Sequence, residues 1–492
     1  MNYSNKDVIK VVITLLLLCI PIFAHLDSFP IRAWDEGRYA VNAMEMYYDG
    51  DYIVPHFNGR PEMWNTKPPI MLWMQVFFMK ILGPTELAVR LPSAFAALFT
   101  CLLLLAIISR YFKDYMFGFL TVIVLITSGG FVYFHTSRTG DFDSLLTFFT
   151  TLYCLLFYTY METKKTKYLY GFFVSLALAM LTKSVTGTLF LPGIFIYVVW
   201  QKQLVRLIKN KHTYIGIGIV LVMVLSYYFI REAQNPGYIQ AVKDNELGGR
   251  FLKTLEGNQG SYLFYINHLY TKFFKHWLVF LPIGLIIGLF NNNSRIQKFT
   301  KYIGILTLSF LLVITYSKTK LHWYTLPILP FMAIMVAIFL NFIFTSLKHI
   351  NYANLYAGNN LIKKSAPVLF IFLILLTPYT TLLKKVYSPT LPDHNRWVYM
   401  LGTFLREATK GKRDLDGYYV LYDGFRQHNT FYVEILQKQG VNIDFKNWEE
   451  LDVGDTVIAH QSLVKNYVTL NYDYEILEKY ENLLTYRING IK

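Results

Sequence analysis

Apolar residues along this chain gather into long runs that are separated by short polar segments. Most runs have about 17 to 22 residues, the length that an α-helix needs to cross about 30 Å of hydrocarbon. The pattern predicts about eleven membrane-spanning helices and hence an α-helical integral membrane protein. The predicted spans are 9–26, 92–109, 115–134, 144–161, 168–182, 188–200, 213–230, 276–290, 301–316, 323–345 and 366–383.

The loops between the spans predict the orientation. If the N-terminus is cytoplasmic, every inside loop contains Lys or Arg, beginning with Lys6 and Lys10, as the positive-inside rule requires. The first run could instead be a cleaved signal peptide. In either case the segment that follows it lies on the outer side of a cell membrane, which is the inner membrane if the cell is Gram-negative.

Three outer stretches are long, namely 27–91, 231–275 and 384–492. The first contains two amphipathic pieces, 38–48 and 69–82. The second piece is rich in Trp and Phe but too short to span, so we expect it to lie as a helix in the membrane interface.

The last stretch has a different composition. Residues 418–422 and 456–459 have the pattern of strands, and 430–439 that of a helix. We therefore expect two domains, a transmembrane domain over 1–384 and a small external α/β domain over 385–492.

Composition narrows the class of protein. Of 492 residues, 54% are hydrophobic and 16% charged, which argues against a soluble globular protein. The formal charge of +15 comes largely from basic loops between apolar runs, so we expect membrane lipids and no nucleic acid as partners. The three cysteines lie inside apolar runs without metal-ligand spacing.

Two adjacent carboxylates, Asp35 and Glu36, follow the first span and precede Arg38 and Tyr39. One interpretation is a solvated turn that starts the next helix, because acidic residues favour helix N-termini. The other is a catalytic role, since a carboxylate at a membrane-facing cleft can act as a general base toward a hydroxyl or amine.

Six cations lie at or near the predicted outer ends of helices, where the positive-inside rule expects few. Lysine at the bilayer centre costs roughly 2.5 to 3.5 kcal/mol, and less near an interface. They either pair with Asp35, Glu36, Asp141 and Asp143 or bind the phosphate of a lipid. The six are Lys67, Arg90, Arg138, Lys183, Lys318 and Lys320.

Asp141 and Asp143 lie in the short outer turn 137–143. They either cap the following helix or form a second acidic site that faces the first. Histidines on the same side, among them His135, His268 and His322, have no metal-binding spacing, so we interpret them as single interfacial residues.

Five motifs, in the same order along residues 35–330, resemble those of the GT-C membrane glycosyltransferases. The closest likeness is to the branch that contains the protein O-mannosyltransferases and the lipid A aminoarabinose transferase. The motifs are Trp34-Asp35-Glu36-Gly37-Arg38-Tyr39, Thr66-Lys67-Pro68-Pro69-Ile70-Met71-Leu72-Trp73, Glu86-Leu87-Ala88-Val89-Arg90-Leu91-Pro92-Ser93, Leu181-Thr182-Lys183, and Ser317-Lys318-Thr319-Lys320-Leu321 with Tyr324 and Pro327.

The resemblance implies a polyprenyl-phosphate sugar donor and a lipid, glycan or protein acceptor that meet at the outer face. Asp35 would be the catalytic base, with Glu36 and Arg38 as orienting groups. The donor phosphate would be held by four lysines with help from Tyr324, and transfer would invert the anomeric centre. The four are Lys67, Lys183, Lys318 and Lys320; Tyr39, Arg138, Asp141 and Asp143 complete the predicted substrate site.

The sequence departs from this branch where a metal is concerned. The branch often has an acidic residue before its Lys-Pro motif and a histidine in the long external loop, which together hold a metal. Here Thr66 takes the first place, and Glu256 follows Arg250 and Phe251 in that loop. No cofactor is firmly predicted, and a divalent metal stays an open alternative.

A transporter or lipid flippase is the alternative from another functional class. It too would place charges near helix ends. The predicted charges gather on one face, however, and the sequence has no pair of interrupted helices.

Overall fold

The computed structural model describes residues 5–133, 135–249, 257–349, 360–388 and 393–492. Short 3₁₀ or π-helical segments occupy Ser184–Thr188, Lys243–Gly249, Leu269–Phe273 and His322–Ile328. The α-helices are α1 (Asn5–Phe23), α2 (Asp35–Asp49), α3 (Ile70–Leu82), α4 (Glu86–Phe112), α5 (Tyr115–Ile126), α6 (Asp143–Thr163), α7 (Thr166–Lys183), α8 (Leu191–Trp200), α9 (Leu204–Ile208), α10 (Lys211–Gln234), α11 (Tyr238–Val242), α12 (Phe264–His268), α13 (Phe280–Leu289), α14 (Ser294–Tyr316), α15 (Leu329–His349), α16 (Asn360–Tyr387), α17 (Asp393–Thr409), α18 (Gln427–Lys438) and α19 (Ser462–Asn471). The strands are β1 (His56–Phe57), β2 (Arg60–Pro61), β3 (Tyr418–Leu421), β4 (Ile443–Lys446), β5 (Thr456–Ala459), β6 (Tyr472–Tyr480) and β7 (Leu483–Ile491).

Each predicted span overlaps one of these helices within the described residues. Within the described residues, seven helical segments are long and apolar enough to cross a membrane. They are α4, α6, α7, α10, α14, α15 and α16. Helices α5, α8 and α13 are apolar but have only 12, 10 and 10 residues. The chain is therefore a multi-pass membrane protein, and the figure of eleven crossings stays a prediction.

The chain divides into two compact units. The helical unit comprises Pro61–Met71 and the described parts of Met1–Ala24 and Leu91–Ser388. The mixed unit comprises His25–Arg60, Leu72–Arg90 and the described part of 389–492.

This division differs from the contiguous domains expected from the sequence. The expected division assigned all of the first external loop to a membrane domain over 1–384. In the structure, most of that loop clusters with the C-terminal residues, because α2 packs against α18. A boundary at 384/385 stays a prediction.

Helices of the helical unit pack as a bundle. Helix α6 packs on α7, α7 on α10, and α15 on both α5 and α13. Close approach depends on small residues, as is common between membrane helices. A Cβ at Gly284 in α13 would stand 1.9 Å from the Met335 carbonyl oxygen in α15, so only glycine permits this packing.

A five-stranded sheet forms part of the mixed unit, in the order β4-β3-β5-β7-β6. Strands β4, β3 and β5 are parallel, and β7 is antiparallel to both of its neighbours. Leu421, Val457 and Tyr486 are fully buried in its core. Strands β3 and β5 and helix α18 confirm the three elements that the sequence pattern predicts here.

Candidate functional site

The mixed unit contains the acidic motif at the start of α2. Asp35 is the first residue of this helix and is partly exposed. Trp34, which precedes it, has a positive φ of 71° and is 66% exposed. A non-glycine residue in such a backbone conformation costs of the order of 1–3 kcal/mol, so surrounding contacts must hold it.

Glu36 is buried and fully engaged in an ion pair with Arg90. The guanidinium Nε and Nη2 of Arg90 lie 2.7 and 3.0 Å from the two carboxylate oxygens. The Arg32 backbone N–H donates to the same carboxylate at 2.9 Å. Arg90 also donates to the carbonyls of Leu26, Phe29 and Pro30 at 2.7 to 2.8 Å. Glu36 and Arg90 therefore fix the path of the chain into α2.

Two further residues of this motif lie nearby on α2. The Arg38 guanidinium is 4.7 Å from the ring centroid of Phe57, within the range of a cation–π contact. Tyr39 is 4% exposed and packs into the core of its unit.

In the helical unit, the predicted phosphate-binding residues Lys67 and Lys183 lie beside the 135–143 turn. Lys183 Nζ is 2.6 Å from Asp143 Oδ1, and both side chains are buried. The same Nζ is 5.8 Å from the ring centroid of Tyr324. Lys67 Nζ is 5.6 Å from the ring centroid of Phe142. The fold thus brings together residues that are up to 257 positions apart in the sequence.

Asp141 forms a second pair in this turn. Its Oδ1 is 3.1 Å from His135 Nδ1, and its carboxylate accepts a hydrogen bond from Thr139. Burial alone would raise the pKa of Asp141, but His135, Thr139 and the charge of Lys183 together lower it below the ordinary value. His135 stacks on Trp323, with ring centroids 3.6 Å apart.

His135 and Trp323 were not predicted from the sequence as neighbours of this candidate site. Histidine spacing gave no signal, since His135 and Asp141 do not lie on one helix and Trp323 is 188 positions away. Arg138, which was predicted to bind substrate, donates to the carbonyls of Pro21 and Ala24 at 3.1 and 2.9 Å. In the structure it ties this turn to the end of α1.

Lys318 and Lys320 lie in the loop before Tyr324. Lys318 is exposed, whereas Lys320 is 6% exposed. Lys320 Nζ donates to the backbone carbonyls of Thr315 and Ser317. No carboxylate lies within ion-pair distance of it among the described residues. Burial and the neighbouring charge of Lys318 lower the pKa of Lys320.

Aromatic side chains surround this lysine. Its Nζ is 6.0 and 5.8 Å from the ring centroids of Tyr262 and Tyr265. His268, in the same segment as these tyrosines, stacks on His322 at 4.0 Å. Burial, together with His322 and Lys272, lowers the pKa of His268 to about 4, so this side chain is neutral at pH 7.

The position before the Lys-Pro motif supplies no carboxylate for a metal in this chain. Thr66 offers a neutral hydroxyl in place of a carboxylate, and its carbonyl accepts a hydrogen bond from Tyr238 at 2.8 Å. Glu256, Arg250 and Phe251 lie outside the described residues.

Residues 66–229 match the family model described as dolichyl-phosphate-mannose-protein mannosyltransferase. An uncharacterized protein of Aquifex aeolicus is 25% identical over 335 residues, which is 66% of this chain and 64% of the relative. The undecaprenyl phosphate-alpha-4-amino-4-deoxy-L-arabinose arabinosyl transferase of Aeromonas salmonicida is 29% identical over 195 residues, 37% of this chain and 34% of the relative. The chain thus spans less than two thirds of the length of these relatives.

Solved structures extend the likeness to the whole fold. ArnT from Cupriavidus metallidurans, solved with bound undecaprenyl phosphate, matches 99% of this chain and 98% of its own, with a TM-score of 0.72 and 14% identity. The Archaeoglobus fulgidus oligosaccharyltransferase matches 97% of this chain and 73% of its own, with a TM-score of 0.54 and 10% identity. Almost the whole chain therefore shares its fold with these two solved structures.

Proposed function

We propose that this protein is a membrane glycosyltransferase that moves a sugar from a polyprenyl-phosphate carrier to an acceptor at the outer face of the membrane. The acceptor class is a lipid such as lipid A, an envelope glycan or a protein. The observation that carries the proposal is Lys320, a buried cation without a carboxylate partner among the described residues. A buried charge is costly unless it is compensated, and a lipid phosphate is an anion that reaches a membrane site.

The reaction needs one base and a site for the leaving anion. Asp35 removes the proton from the acceptor hydroxyl or amine as that atom attacks the anomeric carbon. The bond between the anomeric carbon and the phosphate oxygen breaks, and its electron pair leaves on the polyprenyl phosphate. Direct displacement inverts the anomeric centre. A phosphate monoester is a good leaving group, so electrostatic stabilisation of the anion suffices without a strong general acid.

The four lysines contribute unequally to binding of the donor phosphate. Lys318 and Lys320 bind the donor phosphate most strongly, because neither has a carboxylate within ion-pair distance among the described residues. Lys183 contributes less, since Asp143 already neutralises much of its charge. Lys67, which lies beside the 135–143 turn, and Tyr324, whose ring centroid is 5.8 Å from Lys183 Nζ, assist. Glu36 orients Asp35 through its ion pair with Arg90 and takes no proton.

The proposal also places the protein in a bacterial inner membrane with the mixed unit outside. The basic loops support that orientation through the positive-inside rule. Protease treatment of intact spheroplasts would test it, because an outer mixed unit is cleaved without lysis.

Reconstituted protein supplied with a polyprenyl-phosphate sugar tests the function itself. Transfer predicts that free polyprenyl phosphate accumulates in step with glycosylated acceptor. The transporter alternative predicts that intact donor moves between the vesicle leaflets without release of polyprenyl phosphate, and this result would refute the proposal.

A further inference from the structure

We propose that the C-terminal part of the mixed unit positions Asp35 for catalysis, with Tyr432 and Phe425 as the principal positioning residues. This inference rests on the proposed function of Asp35 as the base. It assigns a role to the residues after 393, for which the family resemblance implies none.

Tyr432 links the chain before Asp35 to the start of α4. It lies on α18 and is 1% exposed. Its hydroxyl accepts a hydrogen bond from the Ile31 backbone N–H at 2.8 Å and donates one to Glu86 Oε1 at 2.7 Å. Arg406 on α17 is 2.8 Å from the same carboxylate oxygen. Two C-terminal helices therefore converge on the segment that leads into α2.

Two further contacts hold the residues on either side of Asp35. The rings of Phe425 and Trp34 stack with centroids 4.7 Å apart and an interplanar angle of 17°. A Cβ at Gly37 would stand 2.8 Å from the His428 backbone nitrogen, so the first turns of α2 and α18 are in direct backbone contact.

These contacts act at a backbone position that is strained for a residue other than glycine. Trp34 has a positive φ, and this conformation determines the direction in which α2 leaves the turn and hence where Asp35 lies. A rigid supporting shell is what a general base needs, because small displacements of a reacting group lower the rate steeply. A positioning role predicts a loss in kcat, whereas donor binding, which depends on the lysines, stays unchanged.

The experiment uses the full-length protein and two pairs of variants. Tyr432→Phe removes the hydroxyl but keeps the ring, and Tyr486→Phe is its control. Tyr486 is also fully buried in the mixed unit, and its hydroxyl makes no hydrogen bond within the described residues. Phe425→Ala removes the stacking partner of Trp34, and Phe425→Tyr restores it. The Kd for polyprenyl phosphate, the carrier that the reaction releases, measures binding at the donor phosphate site. The kcat is normalised to the concentration of protein that binds polyprenyl phosphate.

We expect Tyr432→Phe and Phe425→Ala to lower kcat by about tenfold, with Kd changed by less than about twofold. Tyr486→Phe and Phe425→Tyr should stay within about twofold of the wild type in both quantities. The inference is overturned if Tyr432→Phe and Phe425→Ala only reduce the amount of binding-competent protein, or if both keep the wild-type kcat. If Tyr432→Phe does not fold, the Phe425 pair decides alone. A wild-type protein that releases no polyprenyl phosphate would instead refute the proposed function, and this inference with it.

Discussion

Arg90 and Lys320 are both buried cations, at 1% and 6% exposure, but their surroundings differ. Arg90 meets the Glu36 carboxylate at two points and donates to three backbone carbonyls. Lys320 has two carbonyls and two tyrosine rings. No carboxylate pairs with it in the part of the chain that the structure describes. The two side chains are similarly buried. Arg90 has a carboxylate counter-charge and is structural, whereas Lys320 can bind an anionic ligand.

The largest effect should come from breaking the compensated pair. Arg90→Met leaves Glu36 buried without its counter-charge, so we expect the free energy of unfolding to fall by about 3–5 kcal/mol. Denaturant unfolding of the purified protein measures this. Arg487→Met, at an exposed position in β7, is the control and should stay within about 0.5 kcal/mol. An Arg90→Met protein as stable as the wild type would contradict the structural role of this pair.

The next largest effect should be on ligand binding. Lys320→Met removes a charge that has no carboxylate partner among the described residues, so we expect little loss of stability but about 10- to 100-fold weaker polyprenyl phosphate binding. Lys298→Met, an exposed position on α14, provides the control. If Lys320→Met binds polyprenyl phosphate as tightly as the wild type, the phosphate site is assigned wrongly.

The Lys183–Asp143 pair lies between these two extremes. Removing the negative charge with Asp143→Asn frees Lys183 for the donor phosphate, so we expect polyprenyl phosphate to bind about threefold more tightly. Lys183→Met should weaken binding by a similar factor, less than Lys320→Met does. Equilibrium binding to each variant and to the double variant measures the coupling. Weaker binding by Asp143→Asn would show that Asp143 itself contacts the donor.

The smallest effect should be in the pH dependence of binding. Lys320 binds the phosphate only while its side chain is charged. The affinity for polyprenyl phosphate is therefore retained below the pKa of Lys320 and decreases above it. Because this pKa is lowered, the loss should begin at a lower pH than for an ordinary lysine. Lys320→Arg should shift the loss of affinity to a higher pH, because arginine stays charged. Identical pH profiles for the two proteins would exclude Lys320 as the titrating group.

Features of the fold that depend on local sequence patterns could be predicted. Each of the eleven apolar runs contains a helix, because an apolar segment in lipid must satisfy its backbone hydrogen bonds internally. The α/β character of the last hundred residues was also predictable from strand and helix periodicity. Pairing of outer cations with carboxylates was one of two alternatives, and the structure has it for Arg90 and Lys183.

Contacts distant in sequence could not be predicted. Tyr432 reaches Ile31 across 401 positions, and no periodicity encodes that distance. The contacts of His135 with Asp141 and Trp323 depend on the tertiary packing of the segments that contain them, which local patterns do not encode. The packing of α2 against α18, a helix near the end of the chain, could not be predicted for the same reason.

The most direct test of the account compares Asp35→Asn with the wild type in two assays on the same preparation. We expect both proteins to bind polyprenyl phosphate with the same affinity, because the lysines are unchanged. Release of polyprenyl phosphate from the sugar donor should fall at least about 100-fold in the variant, the lower end of what a general base contributes. Release at the wild-type rate by Asp35→Asn would contradict the central claim that this carboxylate is the catalytic base.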